Sequence, residues 1–157
     1  MTDHLTINGS GTYTDARLEN RYCKDPGNCK GNGNAGVGQM LPITPLFKGN
    51  AEARYDFNVD EFTAHLQAAL TYQTSSWADL RTVERGILGM MPSYTVANFA
   101  AGFGKDNWQA ELTLDNAFDE RAQLYRYSQC TATVCGPETY IIPNRPRTIS
   151  LHFSQSF

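Results

Sequence analysis

The strongest constraint in this sequence is an alternation of apolar and polar residues that runs in stretches of about ten, bounded by aromatic rings. From Phe47 the odd positions read Phe47, Gly49, Ala51, Ala53, Tyr55 and Phe57, and the even ones Lys48, Asn50, Glu52, Arg54 and Asp56. From Phe62 the apolar set is Phe62, Ala64, Leu66, Ala68, Leu70 and Tyr72, opposite Thr63, His65, Gln67, Ala69 and Thr71. A third run has Trp108, Ala110, Leu112, Leu114 and, past the exception Asn116, Phe118; opposite lie Gln109, Glu111, Thr113 and Asp115. The last has Ile149, Leu151, Phe153, Gln155 and Phe157 against Thr148, Ser150, His152, Ser154 and Ser156, and weaker runs cover 5–13 and 95–103. A period of two is the period of a strand, whose side chains point alternately to its two faces. The chain therefore reads as strands with one apolar and one polar face.

Alternation alone fits any half-buried strand, so the ring spacing is the more discriminating signal. Phe47 to Phe57, Phe62 to Tyr72 and Trp108 to Phe118 are each ten residues apart. Ten residues rise about 33 Å along a strand. Tilted about 45°, they project to roughly 23 Å, close to the ~25 Å apolar band between the aromatic girdles of an outer-membrane barrel. Between the rings the apolar face is Ala, Gly and Leu, whereas a soluble sandwich places bulky residues mid-strand, over its core. An ordinary sandwich with fortuitous spacing is the rival reading.

The connections alternate too. They are short at 58–61 and 104–107 and long at 17–45, 73–92 and 119–144, as periplasmic turns and extracellular loops alternate in such barrels. With the C-terminus in the periplasm, the long connections lie outside. Phe57, Phe62, Phe103, Trp108 and Phe157 then form a periplasmic girdle, and Tyr13, Phe47, Tyr72 and Phe118 an outer one. Arg147, ten residues before Phe157, and Tyr94, on the polar side of its strand, do not fit this scheme.

Charge and composition exclude other classes. Thirteen Lys and Arg against 16 Asp and Glu give a net charge of −3, which argues against a basic nucleic-acid surface. No run approaches the ~18 apolar residues of a membrane helix. The mean hydropathy of −0.44 does not bear on spanning strands, which mix both residue kinds. The first residues lack the basic and apolar regions of a secretory signal. The four cysteines form two local pairs, Cys23 with Cys29 and Cys130 with Cys135. Their spacing does not match the two-residue gap of a zinc knuckle. Two disulfides, each closing a loop tip in an oxidising compartment, are the favoured reading, with four free thiols as the alternative.

No catalytic constellation emerges. Glu111 and Asp115 share a polar face, but four strand residues span about 13 Å, so they, with His65 and His152, read as solvated lining. The glycine-rich stretch 31–38 lacks the Gly-Lys-Ser/Thr of a phosphate loop and reads as a flexible outer loop. Residues 76–91 hold a short helix at most. Trp77, Tyr125, Arg126, Tyr127 and Tyr140 sit in long connections. Exposed aromatics and Arg suit ligand contact, and loop-on-loop packing is the plainer role.

The run from Trp108 to Arg121, Trp-Gln-Ala-Glu-Leu-Thr-Leu-Asp-Asn-Ala-Phe-Asp-Glu-Arg, resembles the penultimate strand of TonB-dependent outer-membrane receptors with their Asn-Leu-Phe-Asp-Lys/Arg-Arg pattern. Ala117 stands where Leu is usual. The stretch from Pro146 to Phe157 is similar to that family's last strand, except that Gln155 replaces the apolar residue common there. Met91 to Phe99 resembles the strand before, and Tyr13-Thr-Asp-Ala16 also fits. The resemblance covers nearly the whole chain. It implies an all-β fold, an antiparallel up-and-down transmembrane β-barrel segment of about six strands out of roughly 22. Residues 1–157 would be the C-terminal part of the barrel, with the plug domain and earlier strands absent. It further implies uptake of a scarce ligand such as a ferric siderophore, cobalamin or glycan, without cofactor or enzymatic activity. The implied partners are outer-membrane lipid, the rest of the barrel and plug, TonB through the missing N-terminal region, and the barrel assembly machinery through the last strand. The implied location is the outer membrane of a Gram-negative bacterium.

Overall fold

The computed structural model describes residues 4–29, 34–128, 134 and 138–157. In chain order the strands and helix are β1 (Leu5–Tyr13), β2 (Phe47–Val59), β3 (Phe62–Gln73), β4 (Ser76–Trp77), α1 (Thr82–Leu88), β5 (Met90–Met91), β6 (Tyr94–Lys105), β7 (Trp108–Asp115), β8 (Gln123–Tyr127), β9 (Tyr140–Pro143) and β10 (Thr148–Gln155). Six of them make one antiparallel sheet in the order β1-β2-β3-β6-β7-β10. Each strand pairs with the next long strand in sequence, the up-and-down connectivity that the alternating apolar runs predict. Two small hairpins, β4 with β5 and β8 with β9, belong to the long connections.

The register keeps the two faces separate across the whole sheet. Ile7, Ala53, Ala68, Phe99, Leu114 and Ile149 are opposite one another strand by strand. A slip of one residue anywhere would turn a polar row onto the apolar side. That apolar side is bare. Ile7 is 61% exposed, Leu66 53%, Leu112 50% and Leu151 75%. A sandwich would cover this face with a second sheet about 10 Å away; among the described residues none does. The buried side chains sit mostly in the long connections, where Ala78, Leu88 and Met91 form a small cluster.

The two short connections are tighter than the sequence suggests. β2 runs on to Val59 and β6 to Lys105, leaving Asp60-Glu61 and Asp106-Asn107 as two-residue turns. Asp60 and Asp106 each adopt φ 52°, the left-handed conformation that primed hairpin turns require and that Asp tolerates. Lys105, beside the second turn, forms an ion pair with Glu61 of the first.

Two of the girdle residues lie past the ends of their strands. Phe157 lies beyond the end of β10 and is fully exposed; its neighbour on the same parity, Phe153, stacks on Trp108 at 6.2 Å and 25°. Phe118 lies beyond β7, which ends at Asp115, and is 77% exposed. Phe118 lies ten residues after Trp108, and Phe157 shares the parity of Ile149, Leu151 and Phe153. Replacing Asp106 by Val is expected to destabilise the β6–β7 hairpin by about 1–3 kcal/mol, because a β-branched residue resists positive φ. Asp106→Gly should be nearly neutral. Denaturant unfolding of the full chain in detergent micelles measures both.

Candidate ligand-binding end and sheet faces

On the apolar side the rings gather at the two ends of the sheet. At the tight-turn end Phe62, Phe103 and Trp108 are in mutual contact, with centroids 5.7–6.4 Å apart. Phe153 extends this row, and Tyr55 stacks on Phe57 at 5.7 Å. At the other end Tyr13 is opposite Phe47 in register, and Phe47 meets Tyr72 at 6.2 Å.

The polar side carries a row of titratable residues, Asp56, His65, Glu111 and His152, with Gly102 in the middle. Gly102 explains the contact at its centre. His65 lies on β3 and Glu111 on β7, two strands apart, yet His65 Nε2 is 3.0 Å from Glu111 Oε2. The imidazole crosses β6 over Gly102, and a Cβ there would collide with the ring. Arg54 pairs with Asp56 at 3.0 Å on the same side. These residues line an open hollow of about 600 Å³. No group of three among the described residues is arranged to hold a metal ion. Tyr94, also on this side, donates its hydroxyl to Gln73 at 3.3 Å, which accounts for its parity.

The three long connections fold onto one another. The first and second are joined by several hydrogen bonds. Ile43 N–H donates to Trp77 O (2.8 Å), Thr82 N–H to Asn34 O (2.7 Å) and Gln39 Nε2 to Leu80 O (2.6 Å). The Arg85 guanidinium covers the Trp77 ring at 4.0 Å and donates to Met40 O. Trp77 is therefore packed between connections. The short helix expected in 76–91 is α1, and the stretch 34–38 is anchored by Ala35, fully buried and bridged to Tyr22. Cys23 and Cys29 form a disulfide with Cα atoms 5.7 Å apart; Cys130 and Cys135 lie outside the described residues.

The third connection brings three of the candidate residues together. Tyr125 and Tyr127 on β8 stack at 6.1 Å, and Tyr127 stacks on Tyr140 of β9 at 5.4 Å, with interplanar angles of 18° and 22°. Tyr125 and Tyr140 are 36% and 45% exposed. Arg126 alternates away from them and is engaged elsewhere, donating from Nη1 to Leu88 O at 2.9 Å and from Nε to Gln123 Oε1.

Sequence reasoning flagged Asn116 as an exception to the alternation. The structure supplies the cause. With φ 50° and 4% exposure, Asn116 turns the chain out of β7. Its N–H donates to Asn98 Oδ1 (2.8 Å), its Nδ2 to Glu120 O and Arg145 O (3.0 Å each), and its Oδ1 accepts from Glu120 N–H (2.9 Å). It thus ties the outgoing and returning legs of the third connection to the sheet. Beside it Asp119 accepts from Arg147 N–H and pairs with Arg121, which hold its carboxyl below the usual range.

No protein-family model matches the sequence, and no curated protein does. Its fold has counterparts among solved structures. The siderophore receptor PiuA of Acinetobacter baumannii superposes with a TM-score of 0.69 at 20% identity, over 98% of this chain and 19% of that one. BauA, the ferric preacinetobactin receptor of the same organism, gives 0.69 at 18% identity, over 97% and 20%. Fiu, the ferric-catecholate import receptor of E. coli K12, gives 0.67 at 20%, over 98% and 19%. The chain has the fold of a TonB-dependent receptor barrel segment. It spans about a fifth of the length of the structures it matches. All three neighbours are receptors.

Within this barrel-segment fold, Gly102 and Asn116 are the positions whose roles the sequence did not reveal. A glycine on a polar face and an asparagine at a strand end look ordinary until register places His65 and Arg145 beside them. Asn116→Gly keeps the left-handed backbone and removes the amide, leaving buried backbone groups unpaired at about 1–3 kcal/mol. Tryptic cleavage after Arg121 should then accelerate roughly tenfold, with cleavage after Arg17 unchanged. Asp79 offers a pH test. The Arg81 side chain, hydrogen-bonded at 2.8 Å, holds its carboxyl below the usual range. A lowered carboxyl pKa contributes stability above the unfolded value and loses it as pH falls through the folded one. Protection from hydrogen exchange around 79–84, taken relative to the intrinsic rate at each pH, is expected to fall on acidification through the carboxylate range, and to lose that dependence in Asp79→Asn.

Proposed function

We propose that residues 1–157 are the C-terminal part of the barrel of a TonB-dependent outer-membrane receptor, whose parent protein takes up a scarce ligand such as a ferric siderophore. The observation that carries this reading is the bare apolar face. A six-strand sheet that leaves Ile7, Leu66, Leu112 and Leu151 half or more exposed suits hydrocarbon on that side and water on the other. The sheet is also open at both edges, β1 and β10. Unpaired ladder groups are not tolerated in lipid, so the reading assigns further barrel strands as partners of both edges. The likeness to three iron-uptake receptors supports the same conclusion and favours a ferric chelate over cobalamin or a glycan.

On this reading the ring row of Phe57, Phe62, Phe103, Trp108 and Phe153 sits at the periplasmic interface, and Tyr13, Phe47 and Tyr72 at the outer one. The polar row through His65 and Glu111 faces the plug. The Tyr125, Tyr127 and Tyr140 stack is the candidate contact for ligand, and TonB acts through a part of the parent outside this chain. The last strand is the part that the barrel assembly machinery would engage. The rival, a soluble disulfide-bonded β-domain that binds a ligand, requires the apolar face to be covered.

The two tryptophans separate these readings. The chain carrying Trp77→Phe reports on Trp108 alone, and the chain carrying Trp108→Phe on Trp77. In vesicles of brominated phospholipid, Trp108 emission is expected to be strongly quenched and Trp77 emission little. A chain that stays monomeric and soluble without detergent, with Trp108 indifferent to brominated lipid, would overturn the proposal.

A further inference from the structure

The upper end of β10 carries charge where neighbouring strands carry rings. Arg147 stands one residue before β10 begins, at the parity of Ile149, Leu151 and Phe153. It also stands ten residues before Phe157, the separation of Phe47 from Phe57. An arginine thus takes the place of an outer ring. Its backbone is held in position. The Arg147 N–H donates to Asp119 Oδ1 at 3.1 Å, and Arg145 O accepts from Asn116 Nδ2 at 3.0 Å. Asp119 is engaged at both oxygens, because its Oδ2 pairs with Arg121 at 2.8 Å. The side chains of Arg145 and Arg147 are exposed, and neither makes a hydrogen bond or ion pair among the described residues. Other arginines at this end are engaged, Arg17 by Asp15, Arg81 by Asp79 and Glu84, and Arg85 and Arg126 by backbone carbonyls. Arg121, Arg145 and Arg147 share this corner with two carboxylates, Asp119 and Glu120, a local positive excess in a chain of net charge −3. Along β10 from the two free guanidiniums run Ile149 and Leu151, 70% and 75% exposed, in register with Leu114 and Leu112 of β7.

We infer that Arg145 and Arg147 form a binding site for the net-negative phosphate head group of an outer-leaflet lipid, whose acyl chains lie along Ile149, Leu151 and Leu112. On the membrane reading proposed above, on which this site rests, the apolar face accepts any hydrocarbon. The two guanidiniums add a preference for one class of head group at one place on the sheet. A guanidinium offers a planar fork of donors that matches two phosphate oxygens at once. Arginines at the boundary of a bilayer extend along apolar surface toward the head groups, where their charge stays solvated or paired. Free cations directly above an exposed apolar strip are the complement of an anionic amphiphile, with the phosphate at one end and the chains at the other.

Lipid quenching with a local reporter tests this. The full chain carrying Trp77→Phe, Trp108→Phe and Ile149→Trp has a single indole at an exposed position next to Arg147. It is placed in phosphatidylcholine vesicles that contain either phosphatidic acid or diacylglycerol, with the same brominated chains in the same amount. Phosphatidic acid is expected to quench at least about twofold more than diacylglycerol. That excess should vanish when Arg145→Ala and Arg147→Ala are combined. It should persist in part when both are changed to Lys, which keeps the charge without the fork. Lys48→Ala, which removes a cation from the polar face at the same end, should leave it unchanged, and so should inorganic phosphate in the buffer. The chain carrying only Trp77→Phe reports membrane contact separately, and both lipids should quench its Trp108 alike. Quenched Trp108 with no preference for phosphatidic acid at position 149 would overturn the site alone. So would an excess that survives loss of both arginines, or one lost equally in Lys48→Ala. An excess abolished by inorganic phosphate would overturn the lipid and assign the arginines to the free ion. Indifference of Trp108 to both lipids would overturn the membrane reading and the site together.

Discussion

A strand carries two rows of side chains, and the ladder hydrogen bonds decide which rows of neighbouring strands fall side by side. In this sheet the ladders bring apolar rows together across six strands, from Ile7 to Ile149, and polar rows together from Asp56 to His152. Every later feature depends on that parity. It makes one face continuous and apolar, collects the rings at two levels, and places His65, Gly102 and Glu111 in line. A medium that accepts exposed Leu and Ile on one side and charged groups on the other is a consequence of register before it is a property of any residue.

The division of labour between the two ends follows from the connections. At one end Asp60 and Asp106 let the chain reverse in two residues, so the sheet simply stops. At the other end the chain runs on for dozens of residues, and most of the protein's small packed core forms there, around Ala78, Leu88 and Met91. Surface loops are the usual place for recognition on a rigid scaffold. Here the loops are themselves partly rigid, because arginines bond to backbone carbonyls of neighbouring connections. Arg85 serves Met40 and Arg126 serves Leu88. A guanidinium has several donors in a planar fork and so bridges segments without needing an acidic partner.

The barrel-segment fold was legible because it rests on local periodicity. Runs such as Phe47 to Phe57 declare both faces without reference to any other part of the chain, and the alternation of short and long links declares the up-and-down order. Strand ends were less legible. The apolar parity runs on to Phe118 and Phe157, but β7 yields at Asn116, whose amide has better partners outside the ladder, and β10 ends at Gln155. The candidate site was legible in kind and not in arrangement. Aromatic residues in the third connection stood out one by one, and only the pairing of β8 with β9 stacks Tyr127 on Tyr140. Trp77 and Arg126 looked equally free, yet both are engaged in joining connections.

The sequence by itself determined the strands, their two-faced character and the order in which they pair, since a period of two is a property of neighbouring residues. Tertiary structure alone decided what each polar side chain does. Whether His65 meets Glu111, Asn116 meets Arg145, or Arg126 meets Leu88 depends on registers and loop paths that bring together residues 29 to 46 positions apart. No local pattern encodes such distances. They are set by summing many weak ladder and packing choices over the whole sheet.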